Sequence, residues 1–213
     1  MQLEIPKHDL LELLKKQLGN FFPLSKSDHL VLEESMSIVL DRAEYCFSKT
    51  TNRYYSKNGS PYFNPFHSGQ YSIFLYYFSN TVYKTNYERK NLLADKIYYL
   101  NKAMNSLDLF YEVELPKVFF TDHAVGSVLA RATYGEYFSF SQNCTVGNNK
   151  GVYPVLGENV VVGPGSMILG KCSIGSHVIV AANSFVKDTD IPSYSLVFGQ
   201  HPNVVIRART EIK

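Results

Sequence analysis

The sequence predicts an α+β protein, with a mainly α-helical domain over residues 1–115 followed by a parallel β-helix over residues 116–213. Three observations lead there. Before residue 115 the apolar residues recur at helical spacing. After it an apolar residue recurs at every sixth position, and Gly and other small residues hold fixed offsets from that beat.

In the first part, Leu10, Leu11, Leu14 and Leu18 form one helical stripe. Leu30, Leu32, Met36, Val39 and Leu40 form a second, for which Ser27 is the expected N-cap. Residues 52–70 are dense in Gly, Pro, Asn and Ser and read as an ordered loop. GQYSIFLYYFSNTVY (69–83) and RKNLLADKIYYLNKAMNSL (89–107) predict two more helices. The first of these is nearly apolar all round, which predicts burial inside its own domain or against another subunit.

In the second part, Val128, Tyr134, Phe140 and Val146 keep the beat, and Leu156, Val162, Ile168, Ile174, Val180 and Val186 resume it. Between the two runs, across GNNKGVYPV (147–155), 10 residues separate two beats instead of six. A short flat strand plus a tight corner accounts for each six-residue unit. Three units make one triangular coil, and coils stack at the parallel-sheet spacing of roughly 4.8 Å. The beat residue fills the prism, a small residue four further on (Ser166, Cys172, Ser184) fits near the corner, and Gly permits the turn. The interruption must then project from a corner, and loops projecting from a rigid scaffold carry sites.

Composition narrows the function. A net charge of +2 without a basic tract gives no footprint for nucleic acid. The start, MQLEIPKHDLLELLKKQLGNFF, has charges among its apolar positions and lacks the continuous apolar core of a signal peptide or membrane span. Three cysteines, Cys46, Cys144 and Cys172, cannot all pair and lack metal-ligand spacing, so no metal and a cytoplasmic setting are expected.

The beat, with its following Gly and small residue, resembles the hexapeptide-repeat acyltransferases, whose prism is a left-handed β-helix. IPSYSLVFGQHPNVVI (191–206) resembles the segment by which such chains leave the prism. Within that group the sequence is most similar to serine acetyltransferases and related sugar O-acetyltransferases, which carry an Asp-His motif at the first coil. Here that motif lies in FFTDHAVGS, as Asp122 and His123. The likeness covers about residues 60–206 and is specific across 110–206, whereas residues 1–55 match only in being helical.

Acetyl transfer to an alcohol needs the hydroxyl proton removed as the oxygen attacks, and imidazole, with a pKa of about 6.5, suits that work. His123 is the expected general base. The resemblance implies an upstream acid to orient it, which falls on Glu114 of VELP, with Glu112 or a backbone carbonyl as alternatives. The likeness also implies that Asp122 holds the acceptor and that the 147–155 loop closes over the reactants. Backbone N–H groups of Gly147 and Asn148 would then meet the oxyanion. It places acetyl-CoA along the last coils, near Ala181, Ala182 and Gly199, with Lys187 or Arg207 at the phosphates.

For the acceptor the sequence departs from the serine enzymes. Their loop ends in Arg-His-Pro, where this chain has Val152, Tyr153 and Pro154, and their Asp-Pro is here Asn64-Pro65. Two charged grips on an amino acid have become neutral. Asn64, His67 and Tyr153 suit a sugar or glycan precursor, which is the expected acceptor. Serine acetylation, N-acetylation of an amino sugar and a non-catalytic scaffold are the alternatives. The resemblance further implies a homotrimer with sites between subunits, and the helix at 70–84 would add trimer-to-trimer contacts in a hexamer. Cys144 as an acyl-carrying nucleophile and a donor-groove role for His201 are the weaker readings; His177 is expected to be exposed.

Overall fold

The computed structural model describes residues 1–50, 52–85 and 92–209. Arg89–Asn91, the start of the fourth expected helix, and the last four residues lie outside the described residues. The chain divides into two compact units, Met1–Asn105 and Ser106–Lys213.

Among the described residues the first unit holds four helices: α1 (Lys7–Phe21), α2 (Lys26–Phe47), α3 (Ser68–Thr85) and α4 (Leu92–Asn105). Leu10, Leu14 and Leu18 of α1 are buried, as the stripe requires. So are Leu32, Met36 and Val39 of α2, but Leu30 is 58% exposed. The cap of α2 is Ser25, not Ser27. Ser25 Oγ accepts from the Asp28 amide at 3.1 Å, and the Asp28 carboxylate accepts from the Ser25 amide at 2.9 Å. This reciprocal pair starts the helix earlier than Ser27 would.

Every residue of α3 from Gln70 to Val82 is buried, and α2 and α4 pack along it. Its polar groups are answered from those neighbours. The Arg42 guanidinium donates to the Tyr77 carbonyl, Thr81 Oγ1 and Asn80 Oδ1, and Asn101 Nδ2 donates to the Ser72 carbonyl. The all-round apolar helix is thus a hub inside its own unit. The burial of Gln70–Val82 is met within this unit.

Residues 52–70 are more regular than a loop. A 3₁₀ turn (Arg53–Tyr55) leads into a hairpin of Ser56–Lys57 and Ser60–Phe63, with Gln2–Leu3 added in parallel. Asn58 and Gly59 close the hairpin with φ of 52° and 76°, the left-handed pair that a two-residue turn demands.

The second unit is a parallel β-helix of about five coils with three faces. The first face stacks Asp108–Leu109, Val128–Leu129, Thr145–Gly147, Met167–Leu169 and Phe185–Lys187. The second stacks Thr133–Tyr134, Val155–Leu156 and Ser173–Ile174, continued by a bridge to Ile191. The third stacks Phe119–Thr121, Phe138–Phe140, Val161–Val162, Ile179–Val180 and Ser195–Gln200. Asn203–Ala208 pairs antiparallel with the last of these.

The beat residues from Tyr134 to Val186 point inward and are all buried. Val128 does not. It is 41% exposed, and Leu129 is the residue that pairs with Val146 and fills the prism. The beat therefore slips by one residue at the first full coil. Corners are made by left-handed residues, among them Tyr137, Asn159, His177 and Tyr194 along one edge. On another edge Gly165, at φ 70°, lies under Asn183, whose Oδ1 a Cβ would approach within 2.4 Å. The small residues at the corners bind carbonyls: Ser166 Oγ and Ser184 Oγ both donate to the Ala181 carbonyl, at 2.7 and 2.6 Å. Among the described residues no helix is long and apolar enough to cross a membrane.

Candidate active site

His123 and Asp122 sit where the chain leaves the third face for the first. The Asp122 amide still donates to the Phe140 carbonyl at 2.9 Å, so the ladder holds the backbone up to that residue. His123 then takes φ of 50°, and its carbonyl accepts from the Val125 amide at 2.7 Å. A left-handed histidine in a tight corner throws its ring off the prism. The side chains of His123 and Asp122 are 87% and 79% exposed, and Nε2 lies 3.7 Å from the Asp122 carboxylate. At that exposure, water surrounds the imidazole of a single chain; excluding it takes a ligand or a second surface.

Among the described residues the carboxylate paired with His123 is that of Asp122. Glu114 is exposed in the turn between the first two strands of the prism. The Glu112 carboxylate accepts from Arg131 Nη2 at 2.7 Å.

The 147–155 interruption occupies a different edge, between the first and second faces. Its geometry is tighter than a projecting lid. Asn149 and Val152 exchange both backbone hydrogen bonds at 3.0 Å, and Lys150 and Gly151 form the turn with φ of 52° and 81°. Gly147 is buried in its strand, with its carbonyl accepting from the Gly170 amide. Asn148 is exposed, and its Oδ1 accepts from the Gly151 amide at 3.4 Å. Val152 is 46% exposed and Tyr153 half-buried. One prism therefore presents the histidine on one edge and the interruption on another, with the first face between them.

Ala181 and Ala182 lie on the histidine's edge, three coils further along. There a Cβ on Gly163 would come within 2.8 Å of the Val180 carbonyl and 2.9 Å of the Ala182 amide, so residue 163 has no room for a side chain. Lys187 ends its strand at the interruption's edge. Gly199, at φ 93°, and Arg207 belong to the terminal hairpin, where the Arg207 guanidinium lies 5.0 Å from the Phe198 ring centroid.

Asn64 and His67 belong to the first unit, and both serve its fold. Asn64 Oδ1 accepts from the Phe66 amide at 2.9 Å, and His67 Nδ1 accepts from the Gln70 amide at 3.3 Å at the start of α3. The His67 ring is flanked by Tyr54 and Tyr55. Cys144 is fully buried, burial pushes its thiol pKa up, and its S–H donates to the Gly163 carbonyl at 3.1 Å. A thiol so placed is core, not nucleophile. His177 is half-buried and stacks on Tyr194 at 4.6 Å, rather than standing exposed.

Residues 153–188 match the model of the bacterial transferase hexapeptide family, described as six repeats. The chain carries that family's repeats over this stretch and is similar in sequence to serine acetyltransferases. It is 29% identical over 144 residues to a serine acetyltransferase of Staphylococcus epidermidis, covering 65% of this chain and 66% of that one. The hexapeptide chain thus spans just under two thirds of the length of the curated relatives it matches. The solved serine acetyltransferase of Brucella abortus aligns with a TM-score of 0.67 at 20% identity, over 87% of this chain and 78% of that one. A serine acetyltransferase solved in complex with CoA aligns with a TM-score of 0.63 at 20% identity, over 84% and 75%. These likenesses give the hexapeptide prism its hand: the fold is α+β with a left-handed β-helix.

Proposed function

We propose that this chain is an acetyl-CoA-dependent O-acetyltransferase and that L-serine is its leading acceptor. The observation that carries the reading is the Asp122–His123 pair, offered from the first corner of a hexapeptide prism. The serine acetyltransferases similar in sequence support the acceptor, and the similar fold solved with CoA supports the donor. His123 takes the hydroxyl proton as the acceptor oxygen attacks the thioester carbonyl. The tetrahedral oxyanion is met by the amide of Asn148. Its collapse breaks the C–S bond, and the imidazolium returns the proton to the CoA thiolate. Asp122 binds the acceptor, and Glu114 orients the base. Corners at Gly163 and Ala181–Ala182 are small enough for a pantetheine arm to lie along that edge, and Lys187, Gly199 and Arg207 serve the donor's far end.

In this reading the active assembly is a homotrimer. The histidine edge of one prism meets the interruption edge of its neighbour, which joins the two halves that one chain keeps apart and covers the exposed imidazole.

A second reading has one specific observation in its favour. Val152 and Tyr153 stand at the end of the interruption where the likeness carries Arg-His, so no guanidinium there grips an amino-acid carboxylate. A neutral sugar hydroxyl, the acceptor the sequence first suggests, fits that surface. The relatives favour serine. Thiol release from acetyl-CoA with L-serine, free hexoses and nucleotide sugars separates the two: serine-dependent release supports the main reading, and sugar-dependent release the second. Release with none of them overturns both.

A further inference from the structure

The interruption is held to the prism by a bridge that spans three coils. Asn149 Nδ2 donates to Asp188 Oδ2 at 2.6 Å. The other carboxylate oxygen, Oδ1, accepts from the Lys171 amide at 2.8 Å, and the Asp188 amide donates to the Leu169 carbonyl at 3.0 Å. Between them lies Gly170, at φ 82°, where a Cβ would come within 2.1 Å of Asp188 Oδ1 and 2.7 Å of Asn149 Cβ. The bridge passes through the space that any side chain at residue 170 would fill. Inside the turn the remaining fastenings are local: the Asn149–Val152 backbone pair and the long Asn148–Gly151 contact. These shape the turn without fixing where it points.

The Lys171 amide, helped by Asn149 and Lys187, holds the Asp188 carboxyl below the usual carboxylate range, so it stays ionised and accepts both bonds. Charge-assisted hydrogen bonds are the stronger kind.

We propose that Asp188 is a positioning residue: through Asn149, and over Gly170, it latches the 148–152 turn to the prism and so fixes the turn's amides for acyl transfer. The catalytic half of this rests on the acetyltransferase reading above; the latch itself does not.

Two readouts keep them apart. Lys150 is exposed at the tip of the turn, so tryptic cleavage after it reports how often the turn opens. Asn149→Ala removes only the turn's side of the bridge, and we expect cleavage at Lys150 to quicken roughly tenfold with the unfolding midpoint unchanged. Gly170→Ala should also quicken cleavage by displacing both partners, but with a lowered unfolding midpoint, since a side chain at φ 82° is strained. Thiol release should fall about 10- to 100-fold, with the loss in kcat rather than in KM for acetyl-CoA, as expected for a misplaced catalytic group. The exchange of partners, Asn149→Asp with Asp188→Asn, re-forms a carboxylate–amide bridge and should restore slow cleavage and kcat together. Unchanged cleavage in Asn149→Ala overturns the latch. Faster cleavage with unchanged kcat overturns the positioning role. If the wild type released no thiol with any acceptor, the acetyltransferase reading would fail while the cleavage comparison still decided the latch.

Discussion

His123 keeps a left-handed backbone at a corner, a conformation that a residue with a side chain adopts only at a cost of order 1 kcal/mol or more. The same conformation recurs at Asn143, Asn159, Asn183 and other corners, so here it follows from the coil geometry rather than from the chemistry. What sets His123 apart is its exposed ring beside a carboxylate. That pair was legible in the sequence because its two residues are adjacent and precede the repeat. The Asp188 latch was not, because its partners are 39 residues apart and only stacking of the coils brings them together. Asn64 and His67 show a related ambiguity: hydrogen bonds at a helix start use the same polar residue types as a binding site. The slip at Val128 makes a test on single residues. Leu129→Ala should cost about 2–5 kcal/mol, as for a filled core position. Val128→Ala should cost well below that, within about 0.5 kcal/mol. Urea unfolding of the two variants checks the order, and the reverse order would restore the unbroken beat.

At the scale of elements, helices α1, α2 and α4 and the strand repeat were readable because each has a period that burial enforces, and α3 was readable as a run apolar on every side. What escaped reading were choices between near-equivalent local partners. Ser25 and Ser27 both lie at the start of α2, but only Ser25 stands three residues before Asp28, the spacing that closes a capping box. The Asn58–Gly59 hairpin was hidden in a stretch read only for its density of turn residues, although the dipeptide itself carries the signal. The cap is worth testing because Asp28 also pairs with Lys96 of α4 at 3.0 Å. Burial acts to raise the Asp28 pKa, but bonds from the Ser25 amide and Lys96 outweigh it and hold the carboxyl below its ordinary value. A depressed folded pKa gives stability that is present above the unfolded value of about 3.9 and lost as pH falls through the folded one. Ser25→Ala should lower stability by about 1 kcal/mol at neutral pH. Asp28→Asn should flatten the loss of stability between about pH 5 and pH 3. Thermal unfolding across that range measures both, and an unchanged profile in Asp28→Asn would remove Asp28 from the account.

For the whole molecule, the proposed function draws on residues at two edges of the prism, and the proposed trimer is what would bring them together. The sequence carried the repeat that builds the prism, but edge placement depends on which coil each residue reaches, and the four-residue lengthening at 147–155 shifts every later corner. The proposed trimer follows from the edges, and sedimentation equilibrium should give three chains; a stable, active monomer would contradict the shared site. Its central claim is that His123 is the base for transfer from acetyl-CoA. The most direct measurement is therefore thiol release with L-serine and with sugar acceptors, wild type beside His123→Ala. The account predicts acceptor-dependent release in the wild type and a loss in kcat of about 10²- to 10⁴-fold in the variant, the usual contribution of a general base. Equal release by both proteins, with the variant's fold intact, would contradict it.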